Sequence, residues 1–193
     1  MPLPRATDRD RFTYGDYAAW PEGERWELVD GHPRAMSPAP GRVHQGVLAQ
    51  LVASFVTYLA DKSCRAYPAP FDVRLPREEE ADDEIGTVVQ PDLSVVCDTG
   101  KLDDKGCRGA PDLVIEITSP STACYDQIAK KALYERCGVR EYWIVHPVDH
   151  LVWVYRRTEA GSFGPPAVFG PDDCVQVGIF EDFTVTLSKV FRE

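Results

Sequence analysis

The sequence predicts one α/β domain built on a mixed β-sheet flanked by helices, with additional β-hairpins. Strand candidates interleave with two substantial helical patterns, the arrangement of an α/β domain with a mixed sheet. The chain has 193 residues, 44% of them hydrophobic and 27% charged, which suits a single globular core. A chain of this size buries roughly 70% of its unfolded surface, enough for an enclosed site without disulfide support. No linker or internal repeat interrupts it, so one domain is expected over residues 1–193.

Thr13 with Asp16 three residues later, ahead of Tyr17 and Trp20, predicts a short opening helix with an acidic capping box, ended by Pro21. WELVDGHPRAM predicts a hairpin turning at Asp30–Gly31, a dipeptide suited to positive φ angles. SPAPG leads into a helix over residues 42–60, whose Leu48, Leu51, Val52, Phe55 and Leu59 recur at helical spacing. That stretch is uncharged from residue 43 and about as long as a membrane span, but His44, Gln45, Gln50, Ser54 and Thr57 make it an amphipathic core helix instead. Strands are expected at PFDVRL (70–75), DLSVVC (92–97), DLVIEIT (112–118) and EYWIVH (141–146). A helix is expected from Cys124 to Cys137 with Gly138 as its cap, then a hairpin through PVDH into LVWVYRR, and FTVTL as a last strand.

The formal charge of −10, from 21 basic and 31 acidic residues, argues against broad polyanion binding and leaves room for a narrow basic groove. Much of the excess lies in Glu78, Glu79, Glu80, Asp82, Asp83 and Glu84, read as a solvated loop. Six cysteines at positions 64, 97, 107, 124, 137 and 174 form no CxxC pair and no zinc spacing; they read as reduced, mostly buried thiols of a cytosolic protein. MPLPRATDRDRF lacks the apolar region of a secretory signal, so a cytoplasmic location without membrane attachment is expected.

The chemistry is carried by two lone carboxylates. Asp92 is the only charge between Ile85 and Cys97, and Glu116 the only charge between Leu113 and Tyr125. An isolated carboxylate on a central strand costs several kcal/mol unless it is paired, hydrogen-bonded or bound to a metal. Strand alternation turns Leu113, Ile115 and Ile117 one way and Val114, Glu116 and Thr118 the other. If the two strands are neighbours, Asp92 and Glu116 converge, and two carboxylates with carbonyls and waters suit a hard cation such as Mg²⁺. The following helix adds Asp126, Lys130 and Lys131, with Asp126 and Lys130 on one face, either a site cation or a surface salt bridge. Glu27 is read as a strand-edge or site carboxylate, His44 and Gln45 as facing the same cavity or solvent, and Asp72 as structural though within reach of the site. Cys107, among glycines and beside Arg108, reads as a loop thiol rather than a nucleophile. GxSxG, a P-loop, HExxH and a GxGxxG following a strand are all missing, which removes the serine-hydrolase and nucleotide-fold readings.

The ordered series RWELVDG, SPAPGRVHQ, VVQPDLSVVCD, GAPDLVIEITSPST and D-x-x-x-K with LYERCGVREYWIVHP resembles the Uma-type "putative restriction endonuclease" family over about residues 13–190. That family is similar to the PD-(D/E)XK nuclease superfamily. The resemblance implies a restriction-endonuclease-like fold and a divalent metal, Mg²⁺ or Mn²⁺, held by Asp92 and Glu116. It implies Lys130 in place of the strand lysine that Thr118 displaces, and Glu27 as a further ligand through water.

Three functions follow as expectations: a metal-dependent endonuclease acting on DNA; a catalytically idle fold serving as a binding or assembly module; and a metal-dependent hydrolase of small phosphoesters. The aromatic set Tyr142, Trp143, Trp153 and Tyr155 is expected in the core, with a homodimer contact wherever part of it is exposed.

Overall fold

The computed structural model describes residues 11–21, 25–36, 40–119 and 126–192. Two mixed sheets of six strands each form the body. The larger contains β3 (Arg65–Pro68), β6 (Leu93–Val96), β9 (Leu113–Ile117), β10 (Glu141–His146), β11 (Leu151–Arg156) and β12 (Ala167–Phe169), in the order β12-β11-β10-β9-β6-β3. Only β9 and β10 run parallel in it, because a helical crossover joins them; the other neighbours are antiparallel. The smaller sheet contains β1 (Trp26–Val29), β2 (His32–Ala35), β4 (Val73–Arg74), β5 (Val88–Val89), β7 (Leu102–Asp103) and β8 (Gly106–Arg108), in the order β2-β1-β5-β4-β8-β7. A separate hairpin pairs β13 (Cys174–Gln176) with β14 (Thr184–Thr186). The helices are α1 (Tyr14–Tyr17), α2 (Arg42–Leu59), α3 (Lys131–Cys137) and α4 (Leu187–Val190), and a π-helical turn over Asp126–Lys130 precedes α3.

Local chemistry explains most boundaries. Thr13 N–H donates to Asp16 Oδ2 at 3.0 Å, closing the expected capping box of α1. Asp30 and Gly31 both take positive φ, 52° and 82°, so the β1–β2 turn has the primed geometry that matches strand twist. PFDVRL contributes only Val73–Arg74 to the ladder: Pro70 and Pro76 bracket it and neither carries an N–H to extend the pairing. Cys124 and Tyr125, the expected start of the crossover helix, lie outside the described residues, as do residues 37–39 of SPAPG and the Asp126 side chain expected to pair with Lys130.

The larger sheet separates two cores. On one face, Val47, Leu48, Leu51, Phe55 and Leu59 of α2 pack against Leu93, Val95, Leu113, Ile115, Ile117, Trp143 and Val145. On the other, Val114, Tyr142 and Ile144 meet Val73, Val89 and Cys107 of the smaller sheet and Leu133 and Tyr134 of α3. Of the aromatic set, Tyr142, Trp143 and Tyr155 are buried and Trp153 is half-buried, the expected core role. Among the described residues no helix is long and apolar enough to cross a membrane.

Two expectations are corrected. The acidic run is only partly a solvated loop: Asp82 is bound by the fully buried Arg74 and by Lys105 at 3.0 Å, and Arg108 Nη2 donates to the Glu80 carbonyl at 2.7 Å. The second concerns the thiols. Continuing the β3–β6 register by one step places Cys64 opposite Cys97, and the two form a disulfide that a separation of 33 residues conceals in the sequence. Cys107 lies on β8 rather than in a loop, and burial pushes its thiol up to about 11 despite nearby Lys101 and Arg74.

Brief alkylation of the folded chain at mildly alkaline pH is expected to label the exposed Cys174 and spare Cys107. Peptide mass spectrometry without reductant is expected to recover Cys64 joined to Cys97. Equal labelling of Cys107 and Cys174 would contradict this burial.

Candidate active site

β6 and β9 are antiparallel neighbours with Leu93 opposite Ile115, and one further step in that register sets Asp92 opposite Glu116. Residues directly opposite in an antiparallel pair project to the same face. That face is the one lined by Val114, away from α2, as alternation predicts.

Asp92 is fixed from two sides. Its Oδ2 accepts the Ile117 N–H at 2.8 Å and lies 3.2 Å from His44 Nε2 on the first turn of α2. His44 therefore faces the site and not solvent, while Gln45 is exposed. The other ring nitrogen of His44, Nδ1, is buried without a hydrogen-bond partner among the described residues.

Glu116, only 4% exposed, accepts at Oε1 from Lys130 Nζ at 2.8 Å and from the Tyr134 hydroxyl at 2.6 Å. Lys130, 5% exposed, also reaches Glu27 Oε1 at 2.9 Å, and Glu27 is itself 4% exposed. Glu27, on β1, thus shares the buried ion-paired cluster of Glu116 and Lys130. One ammonium thus joins β1, β9 and the turn before α3. Lys130 closes the π-helical turn, whose i→i+5 bonding widens the helix locally, a device common at functional sites. Lys131 turns away, toward Glu135 at 3.8 Å and the Tyr155 and Phe163 rings.

The surrounding polar groups hold this arrangement. Gln90 N–H donates to Glu27 Oε1 at 3.2 Å, and Gln90 Nε2 donates to Asp72 Oδ1 at 2.8 Å. Asp72 also accepts from Tyr17 at 3.0 Å, so it supports the site through Gln90. Burial, with Asp72 close by, drives the Tyr17 phenol far above its ordinary range. Tyr134 is likewise raised well above 10, by burial first and by the Glu116 and Glu27 charges next, so it remains a hydroxyl donor. Tyr134 and Gln90 are contacts that the sequence expectations do not include. For Tyr134 a signal existed, its position four residues after Lys130; for Gln90 the contact is through the backbone, which no residue pattern reveals.

Glu27 and Glu116 share the Lys130 ammonium, and Asp92 stands opposite Glu116 across the β6–β9 pair, so Asp92 and Glu116 are the two carboxylates available to a cation. Among the described residues no group of three His, Cys, Asp or Glu side chains gathers as a metal cluster. Such a set suits Mg²⁺ or Mn²⁺ better than zinc, because Mg²⁺ takes one or two carboxylates and keeps several waters, whereas zinc takes three or four protein ligands.

Replacing Lys130 by Met leaves two buried carboxylates without their ammonium, and is expected to cost about 3–5 kcal/mol in urea denaturation. Adding Glu27→Gln to that variant is expected to recover part of the loss, since the two residues interact directly.

The model of the Uma2 family, described as "Putative restriction endonuclease", matches residues 14–188. An uncharacterised protein of Synechocystis sp., slr1290, is 24% identical over 151 residues, which make up 77% of this chain and 75% of that protein. The crystal structure of "a putative nuclease belonging to DUF820" from Anabaena variabilis is similar with a TM-score of 0.73 at 20% identity, covering 93% of this chain and 97% of that one, a likeness of fold. A family match over nearly the whole length means that the chain belongs to the Uma2 family.

Proposed function

We propose that the chain is a divalent-metal-dependent endonuclease that hydrolyses DNA phosphodiester bonds at the face formed by Asp92, Glu116, Lys130 and Glu27. The observation that carries this reading is the pair of carboxylates on adjacent strands with a buried ammonium 2.8 Å from one of them. Membership of a family described as "Putative restriction endonuclease" supports the same reaction class.

Asp92 and Glu116 would hold Mg²⁺ or Mn²⁺, which supplies Lewis-acid polarisation of a phosphate oxygen and neutralises charge in the transition state. Asp92 is oriented for that role by the Ile117 N–H, and Glu116 by Lys130 and Tyr134. Lys130 adds a fixed positive charge beside the developing negative charge of the phosphoryl group, where a water-poor setting strengthens it. Glu27 keeps the ammonium in place and limits the motion of its flexible stem. The net charge of −10 opposes contact with a long stretch of DNA.

Mn²⁺ binding followed by water-proton relaxation is expected in the wild type and lost in Asp92→Ala and Glu116→Ala. Metal-dependent cleavage of DNA is expected to fall by at least about 10³-fold in Glu116→Ala, the scale of removing a central charge-stabilising group. Absence of metal binding at millimolar concentration would instead favour the binding or assembly module, in which the Glu27–Lys130–Glu116 cluster serves packing alone. Cleavage restricted to nucleotides or small phosphoesters would redirect the reading to a small-molecule hydrolase.

A further inference from the structure

One further polar cluster lies on this face beyond Glu116. Thr118 follows Glu116 by two residues, about 7 Å along the strand on the same side. The parallel β9–β10 register, with Ile144 beside Glu116, brings His146 beside Thr118. His146 is 9% exposed; its Nδ1 lies 3.2 Å from Thr118 Oγ1, and its Nε2 is buried without a hydrogen-bond partner among the described residues. Trp153, on the neighbouring β11, has its ring centroid 5.1 Å from that of His146, and its Nε1 is also buried without a hydrogen-bond partner among the described residues.

The hydrogen bonds select a tautomer. Thr118 has one hydroxyl proton, and its oxygen lies 3.2 Å from the Val145 carbonyl, which can only accept. With the proton on that bond, Thr118 Oγ1 is left to accept from His146 Nδ1–H. Nε2 then carries the lone pair. Trp153 Nε1–H is a donor only, so the two nitrogens together complement an oxygen that both accepts and gives a proton. A buried polar group without a partner is costly, and its retention calls for a ligand, water or reacting group that satisfies it. Lys130 cannot serve as the proton acceptor, because its ammonium has no lone pair and donates to two carboxylates.

We infer that His146 is the general base of the hydrolysis proposed above, with Trp153 orienting the attacking water. This assignment rests on that reading. As the water oxygen bonds to phosphorus, its O–H bond breaks and the proton passes to His146 Nε2. The bond from phosphorus to the leaving oxygen breaks, and that oxygen takes a proton from solvent, to which the imidazolium later returns its own. Burial keeps the ring neutral at pH 7 by lowering its pKa, partly opposed by Asp149 of the following turn. Glu116 lies on the same face of β9, two residues before Thr118, with Lys130 bound to it.

His146→Asn retains a donor to Thr118 and removes Nε2. It is expected to fold with wild-type thermal stability, to lower kcat about 10²-fold with little change in KM, and to lose the acidic limb of the pH–rate profile. In ¹⁵N spectra of the wild type at neutral pH, the His146 signals are expected to show Nδ1 protonated and Nε2 bare, a readout independent of turnover. A protonated Nε2, or an active wild type whose rate and pH profile His146→Asn leaves unaltered, overturns the assignment while the nuclease reading stands. A wild type that cleaves no DNA with Mg²⁺ or Mn²⁺ removes the nuclease reading itself, and the assignment with it.

Discussion

The arrangement depends on a single buried ammonium. Lys130 bridges Glu27 of β1 and Glu116 of β9 from the turn that leads into α3, with all three side chains almost wholly removed from water. Charges in such a setting are tolerated only when each is bonded, and here Tyr134 and the Gln90 N–H supply the remaining donors. Both sheets and the crossover helix therefore close on the same point. The second core, in which Val114 and Ile144 meet Val73, Val89 and Leu133, packs around the cluster. Its formation and that of the site are one event.

Backbone geometry supplies the rest of the face. The antiparallel β6–β9 register sets Asp92 against Glu116, and the Ile117 N–H at the end of β9 turns back to hold Asp92. His44 reaches the same carboxylate from the first turn of α2, linking the large core to the site. On β4, inside the smaller sheet, Arg74, fully buried, is held by Asp82 and Asp103, so part of a run rich in negative charge anchors this sheet. Function enters through these side chains, since the same fold class serves many activities.

What could be read from residues alone has local causes. The helical spacing of Leu48, Leu51, Phe55 and Leu59, the Asp30–Gly31 turn and the Gly138 cap all appear in the structure, because each follows from periodicity or from one residue's backbone freedom. The two lone acids were legible for a comparable reason: an isolated charge in an apolar strand conflicts with its surroundings and calls for a partner. Strands of two or three residues, such as β5, β7 and β8, carry too short a pattern to be seen this way.

The sequence by itself determined the α/β class, the face on which Glu116 projects, and Asp92 and Glu116 as isolated carboxylates in need of partners. Tertiary structure alone decided that Glu27 joins Lys130, that Tyr134 and Gln90 bond to Glu116 and Glu27, that Cys64 bonds Cys97, and that His146, beside Thr118, and Trp153 each bury a nitrogen with no hydrogen-bond partner among the described residues. The physical reason is that burial cost is a property of one residue in its local stretch, whereas the group that offsets it comes from a distant segment brought near by strand register and crossover packing. Composition and spacing do not encode that separation.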